Sequence, residues 1–485
     1  FTFILLILPL IFACAWGEEK KEDDKKEKKD EQEVTIKSMI DDSFISAHFF
    51  DFDFLGFGTC WDEKEDENAP PPSHASLDLP VEGYGLSFGN SIKNMGIRFN
   101  FVDDHVEKVY GLNFSFWKPD LNPNFEMNGV AFGLLGTRAN ELNGIAITVA
   151  GPVAKEMNGL SLALAGGSFG DLSGISIAGL GIGADNVNGI SLAGLGMGAA
   201  DVTGLTAAGL GIGADNVTGI TLAGLGMGAK DVTGLTVAGL GMGAENVTGI
   251  TLAGLGMGAK DVTGLTVAGL GMGADNVTGI TLAGLGIGAK DVTGLTVAGL
   301  GMGAGQVSGI TLAGLGMGAG DVTGLTVTGL GMGAGDIAGL TVAGLGLGAG
   351  NITGLTVAGL GLGAGNIEGL TVAGLGLGAG NITGVSLTGL GLGAENITGL
   401  AVSGFRVKAK NITGMGLGGG MLTCESLTGL GIGAFQRVKG RSTGLSLGVV
   451  NMAEQLNGIQ IGLVNYVADN PPLMRLLPLV NWHFD

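Results

Sequence analysis

The sequence predicts an all-β fold: a β-solenoid of 15-residue coils with β-rich flanking caps. Three observations predict it. A glycine recurs every fifteen residues from Gly129 to Gly444 without a slip, in 22 copies. Glycine supplies 98 of 485 residues, a load that would cost a helix ~1 kcal/mol at each position. Within one unit the large apolar residues Leu235, Val237, Leu240 and Met242 are spaced two, three, two. Neither a helix nor a single flat strand keeps that period.

Composition excludes several classes. Collagen is ruled out, because glycine is not every third residue and proline totals 11. A chain that is 45% apolar is not generally disordered. A net charge of -20 argues against nucleic acid as a partner, since that binding needs a basic face. Three cysteines and four histidines leave little for a disulfide framework or a zinc site.

In chain order, residues 1–17 read as an export signal with a truncated start: Phe1 to Phe12 is apolar, with no initiator methionine or basic leader. Cleavage after Ala13-Cys14-Ala15 would free Trp16. Alternatively Ile11-Phe12-Ala13-Cys14 is a lipobox and Cys14 is lipidated, although Phe12 fits that slot poorly. Residues 18–33, nearly all Glu, Asp and Lys, are a solvated charged tether. Residues 34–126 form an aromatic β-rich N-terminal cap. There Ile97–Phe101 and Leu112–Phe116 alternate apolar and polar around a break at Asp103-Asp104-His105, so a hairpin is expected. His48, Asp51 and Asp53 read as an ordinary polar strand face rather than a cation site.

Residues 127–455 are the repeat array. Each unit is expected to make two short strands, Leu-Thr-Val and Leu-Gly-Met, bent at Ala238-Gly239, with the large residues inside. The segment Gly258–Asp261 makes the third side. Stacking places like positions on adjacent rungs ~4.8 Å apart. A charge ladder then follows, Asp215, Lys230, Glu245, Lys260, Asp275, Lys290, alternating in sign. Thr206, Thr221, Thr236, Thr251, Thr266 and Thr281 are expected to form an outward row of hydroxyls, a candidate face for glycans or ice. The Asx residues beside the ladder are read as turn caps. The alternative architecture is a large outer-membrane β-barrel, with Phe484 as its terminal aromatic; the lack of aromatics between 171 and 400 argues against it.

Residues 456–485 are the C-terminal cap. Here Leu456-Asn457-Gly458-Ile459-Gln460-Ile461-Gly462-Leu463-Val464-Asn465-Tyr466 resembles the repeats of exported bacterial surface-repeat proteins, which read Asn-x-x-Gly-apolar-x-apolar-Gly. Leu477–Trp482 resembles the closing segment of that family. The resemblance covers roughly 109 to 485 and implies an envelope or surface location, outer membrane or periplasm included, but no activity. Most units replace the family's second Asn with Gly-Met-Gly or Gly-Leu-Gly, which puts any ligand role of that Asn in doubt. No catalytic constellation, metal site or cofactor motif stands out, so the expected protein is non-enzymatic. Its role is structural or adhesive, with envelope surfaces, glycans or other surface proteins as partners; the alternatives are a binding face on the threonine rows or a passive barrel pore.

Overall fold

The computed structural model describes residues 76–81, 83–119 and 122–484. Cys14, His48, Asp51, Asp53 and Cys60 lie outside them, as do the export signal and the charged tether. The described residues belong to one unit, a Gly-rich β-solenoid. Backbone ladders run parallel between like positions: Val217 pairs with Val232, which pairs with Val247. Neighbouring rungs are therefore one coil of fifteen residues apart. This excludes the barrel alternative. An up-and-down barrel pairs consecutive strands antiparallel, and among the described residues only the first and the last strand pair that way.

Each coil bends three times. In the unit from Asp231 to Glu245 the bends fall at Gly234, at Gly239-Leu240, and at the Ala-charged step that is Ala229-Lys230 one rung earlier. Val232, Thr236, Ala238 and Met242 point inward. Leu235, Val237 and Leu240 point outward. The expected orientation of Leu-Thr-Val is therefore inverted. The reason is room: one rung of so small a coil encloses two large side chains, Val232 and Met242. The wall opposite accepts only Thr and Ala, so the larger aliphatics turn out.

Two glycine columns allow the backbones to approach. Gly234 has φ +125°, and a Cβ there would lie 2.1 Å from the carbonyl oxygen of Gly219. At Gly239 a Cβ would lie 1.9 Å from the oxygen of Gly224. With hydrogen in that space the ladder continues around the corner: Gly239 N–H donates to Ala223 O at 2.9 Å and Leu240 N–H to Leu225 O at 2.6 Å.

The first strands are β1 (Ser76–Val81), β2 (Tyr84–Gly89), β3 (Lys93–Asn100) and β4 (Lys108–Ser115). β3 and β4 pair parallel, Lys93 with Lys108 and Phe99 with Phe114. The expected hairpin is corrected: these are successive coils, and Asp103–His105 lies in the connection between them. The burial is inverted here too. Arg98 is fully buried, while Ile97 and Phe99 are more than one-third exposed. The positive-φ glycine column continues through Gly96 and Gly111, which is linked to Gly129 by an eighteen-residue step, and ends at Gly458 after a fourteen-residue step. β1 covers the first coil antiparallel, and Leu476–His483 covers Val450–Val467 in the same way. Each end is thus a flanking sheet cap over what would be an open strand edge.

One coil supplies a matched test. Gly279→Ala places its methyl 2.3 Å from the Gly264 oxygen at φ +119°, and should lower stability by roughly 3 kcal/mol or more. Gly273→Ala meets nothing within 4 Å and should be neutral or stabilising by up to about 1 kcal/mol. Chemical denaturation of the two variants checks the contrast; equal losses would rule out close approach as the role of the column.

Candidate functional site

The inverted strand builds the most prominent surface feature. Outward columns continue from rung to rung because each parallel pair sets like on like. One column runs Leu112, Val130, Ile145, Leu160, Ile175, Ile190, Leu205 and Ile220, and on to Leu400. Two residues along the strand, a second starts with Phe88, Phe99, Phe114 and Phe132, whose rings stack at 4.7–5.6 Å, and continues through Leu222 and Val237 to Val402. The cap strands add to both: Leu79 lies beside Leu86 and Trp482 beside Ile459 on the first column, Leu77 beside Phe88 and Val480 beside Ile461 on the second. A third column, Leu180 to Leu390, lines the adjacent corner. Ile220 is 44% exposed and Leu240 48%. A shallow depression opens in this face around Ala207, between Leu192 and Leu222, where the column loses its bulk.

The polar side carries two ladders. Lys230 Nζ lies 2.7 Å from Asp215 Oδ1, Lys260 Nζ 3.0 Å from Glu245 Oε2, and Lys290 Nζ 3.0 Å from Asp275 Oδ1. The hydrogen bond and charge of Asp215 hold the Lys230 ammonium above its usual range. Beside it the Asx side chains bond along the stack and do not cap turns: Asn246 Nδ2 donates to Asp231 Oδ1 at 2.6 Å, and Asn366 Nδ2 to Asn351 Oδ1 at 2.7 Å. The neighbouring Thr218, Thr233 and Thr248 are exposed.

The threonine row proposed as a binding face lies in the interior. Thr206, Thr221, Thr236, Thr251, Thr266 and Thr281 are all 0–1% exposed and meet no solvent. Farther along the same column, Oγ1 of Thr311, Thr326 and Thr341 is buried without a hydrogen-bond partner.

Both ends of the core hold polar clusters that sequence reasoning missed. Arg98, in the column that later carries Thr, pairs with Asp103 at 3.0 Å and donates to Gly89 O at 3.2 Å. Asn113 Nδ2 donates to the other Asp103 oxygen at 2.9 Å. Burial pulls the Arg98 pKa down, and Asp103 opposes that shift. At the far end Asn451 Nδ2 donates to Asn465 Oδ1 at 2.7 Å, and Asn470 Nδ2 to Asn481 Oδ1 at 2.9 Å. Asn465, the second Asn of the repeat-like motif, is spent on these backbone and amide contacts. The C-terminal cluster fastens its cap strand, Asn465 Nδ2 donating to Leu477 O and Asn470 Nδ2 to Asn481 Oδ1, whereas the Arg98 cluster ties Gly89, Asp103 and Asn113 within the first coils; the central side chains of both are buried. Cys424 is a free thiol whose burial pushes its pKa up to about 12, so it is not nucleophilic at neutral pH. Among the described residues no group of three or more His, Cys, Asp or Glu side chains is placed to hold a metal.

Comparison with family models, curated proteins and solved structures finds no match for this chain.

Replacing an unpartnered buried hydroxyl by an isosteric methyl removes a desolvation penalty. Thr326→Val should therefore raise stability by about 1 kcal/mol in denaturant titration, and a loss would show that the hydroxyls need one another. A double-mutant cycle of Asp215→Asn and Lys230→Gln should show favourable coupling at low salt that fades at high salt. Because the folded Lys230 pKa is raised, the coupling should be complete below about 10.5 and be lost as pH rises through the higher folded value. Additive effects at every salt concentration would mean that the ladder carries no energy.

Proposed function

We propose that this is a non-enzymatic structural or adhesive repeat protein of a bacterial envelope or cell surface. The observation that carries the reading is the aliphatic face that runs along a stack of similar coils, interrupted in its central columns at Ala207. Isolated exposed leucines are ordinary, but a contiguous apolar face larger than a few hundred Å² marks a contact surface. The interior supports the reading from the other side: its threonine row is sealed in and offers no surface to a ligand. Multiplying one coil adds contact area rung by rung, which suits a scaffold or an adhesin and has no parallel in an active site. Envelope location rests on the export-signal reading of residues 1–17 and on the resemblance of 456–466 to surface repeats.

Intact producing cells test this. The chain should fractionate with the envelope and be cut by protease added outside. A protease-protected chain in the cytoplasmic fraction would overturn the reading.

A further inference from the structure

We propose that the partner of the aliphatic face is a second copy of this chain, packed face to face about a two-fold axis lying in the contact plane. This rests on the adhesive reading above and names its contact. The first argument is area. From Ile175 to Leu400 the face rises one rung per coil, about 70 Å at ~4.8 Å each. Each rung adds two aliphatic side chains that stand well out of the flat wall, such as Ile220 at 44% and Leu222 at 42% exposure, with the Leu240 column beside them across the bend. Each copy would bury roughly 1,000 Å², more than the ~800 Å² per partner of a standard stable interface. The second argument is composition. Over those coils every outward residue of the two central columns is Leu, Ile or Val, with Ala207 the one exception. Two such sheet faces can interdigitate at ~10 Å as in a β-sandwich, with no charge to desolvate. The depression at Ala207 gives a partner's leucine a socket.

Charge placement disfavours a lipid surface as the occupant. A helix or sheet that lies on a membrane carries Lys and Arg around its apolar face. Between residues 175 and 400 the lysines are Lys230, Lys260 and Lys290, which stand on the Asx side, engaged with Asp215, Glu245 and Asp275. The face is instead bordered by glycine and threonine columns. Because its contact is isologous, one patch serves both copies, and the polar ladders remain outside on each.

The test uses the full chain. Leu222→Lys, Leu252→Lys and Leu282→Lys together charge the face, while Thr218→Lys, Thr248→Lys and Thr278→Lys add the same charge to the exposed polar side of the same rungs. Circular dichroism and thermal unfolding establish that both variants fold. In sedimentation equilibrium the wild type and the threonine variant should dimerise. The leucine variant should be monomeric, its dissociation constant raised roughly 100-fold or more. Should the triple lysine variant misfold, Leu252→Ala with Leu282→Ala keeps the interior intact and should weaken dimerisation about 10-fold. A monomeric wild type, or equal weakening by both triple variants, overturns the proposal. Neutral phosphatidylcholine vesicles separate the two levels of the argument. A monomer that binds vesicles through the face replaces the second copy by lipid and leaves the adhesive reading standing. A monomer that binds neither, in a protein found inside the cell, removes both.

Discussion

The structure depends on one close approach: the carbonyl oxygen of each corner glycine occupies the space where the next rung's Cβ would be. At Gly234 and Gly239 that oxygen would lie about 2 Å from a methyl, inside any van der Waals contact. Hydrogen at these positions lets a coil of fifteen residues turn tightly and still keep its parallel ladder. A coil so small has little interior, and the rest follows from that. Val232 and Met242 fill what room there is, Thr236 and Ala238 line the remaining wall, and Leu235, Val237 and Leu240 are left outside.

The glycine constraint thus creates the apolar face. In an ordinary half-buried sheet the aliphatic side faces the core and the hydroxyl side faces water. Here the order is reversed along one wall of the solenoid, at a cost in exposed aliphatic surface on every rung and unpartnered hydroxyls on several. Partner contact would offset that cost, and it accumulates rung by rung. The two ends are handled differently. There the core column changes from Thr to Arg98 and Asn113, and the Met and Leu column gives way to Gln436 and Asn451. Arg98 and Asn113 meet at Asp103, and Asn451 passes a hydrogen bond to Asn465, which with Asn470 and Asn481 holds the last antiparallel strand, an orientation that a purely aliphatic core could not set.

Periodicity in the sequence determined the coil, its fifteen-residue rise and the positions that stack. Those follow from Gly129 to Gly444 alone, because a parallel stack sets like residues on like. The Lys–acid ladder was legible for the same reason, being a consequence of register. What the sequence could not decide was which side of Leu235-Thr236-Val237 is inside. Alternation identifies two faces without saying which is buried, and size misled, since the larger residues were placed inward. The continuation of the column through Gly111 and Gly96 was hidden by an eighteen-residue step, and Arg98 was hidden among aromatics. Only the closed coil fixes these points: its interior is a tertiary quantity, set by how near the corner glycines bring the backbones, and in the array coils, where Val232 and Met242 already fill it, threonine rather than leucine takes the remaining wall.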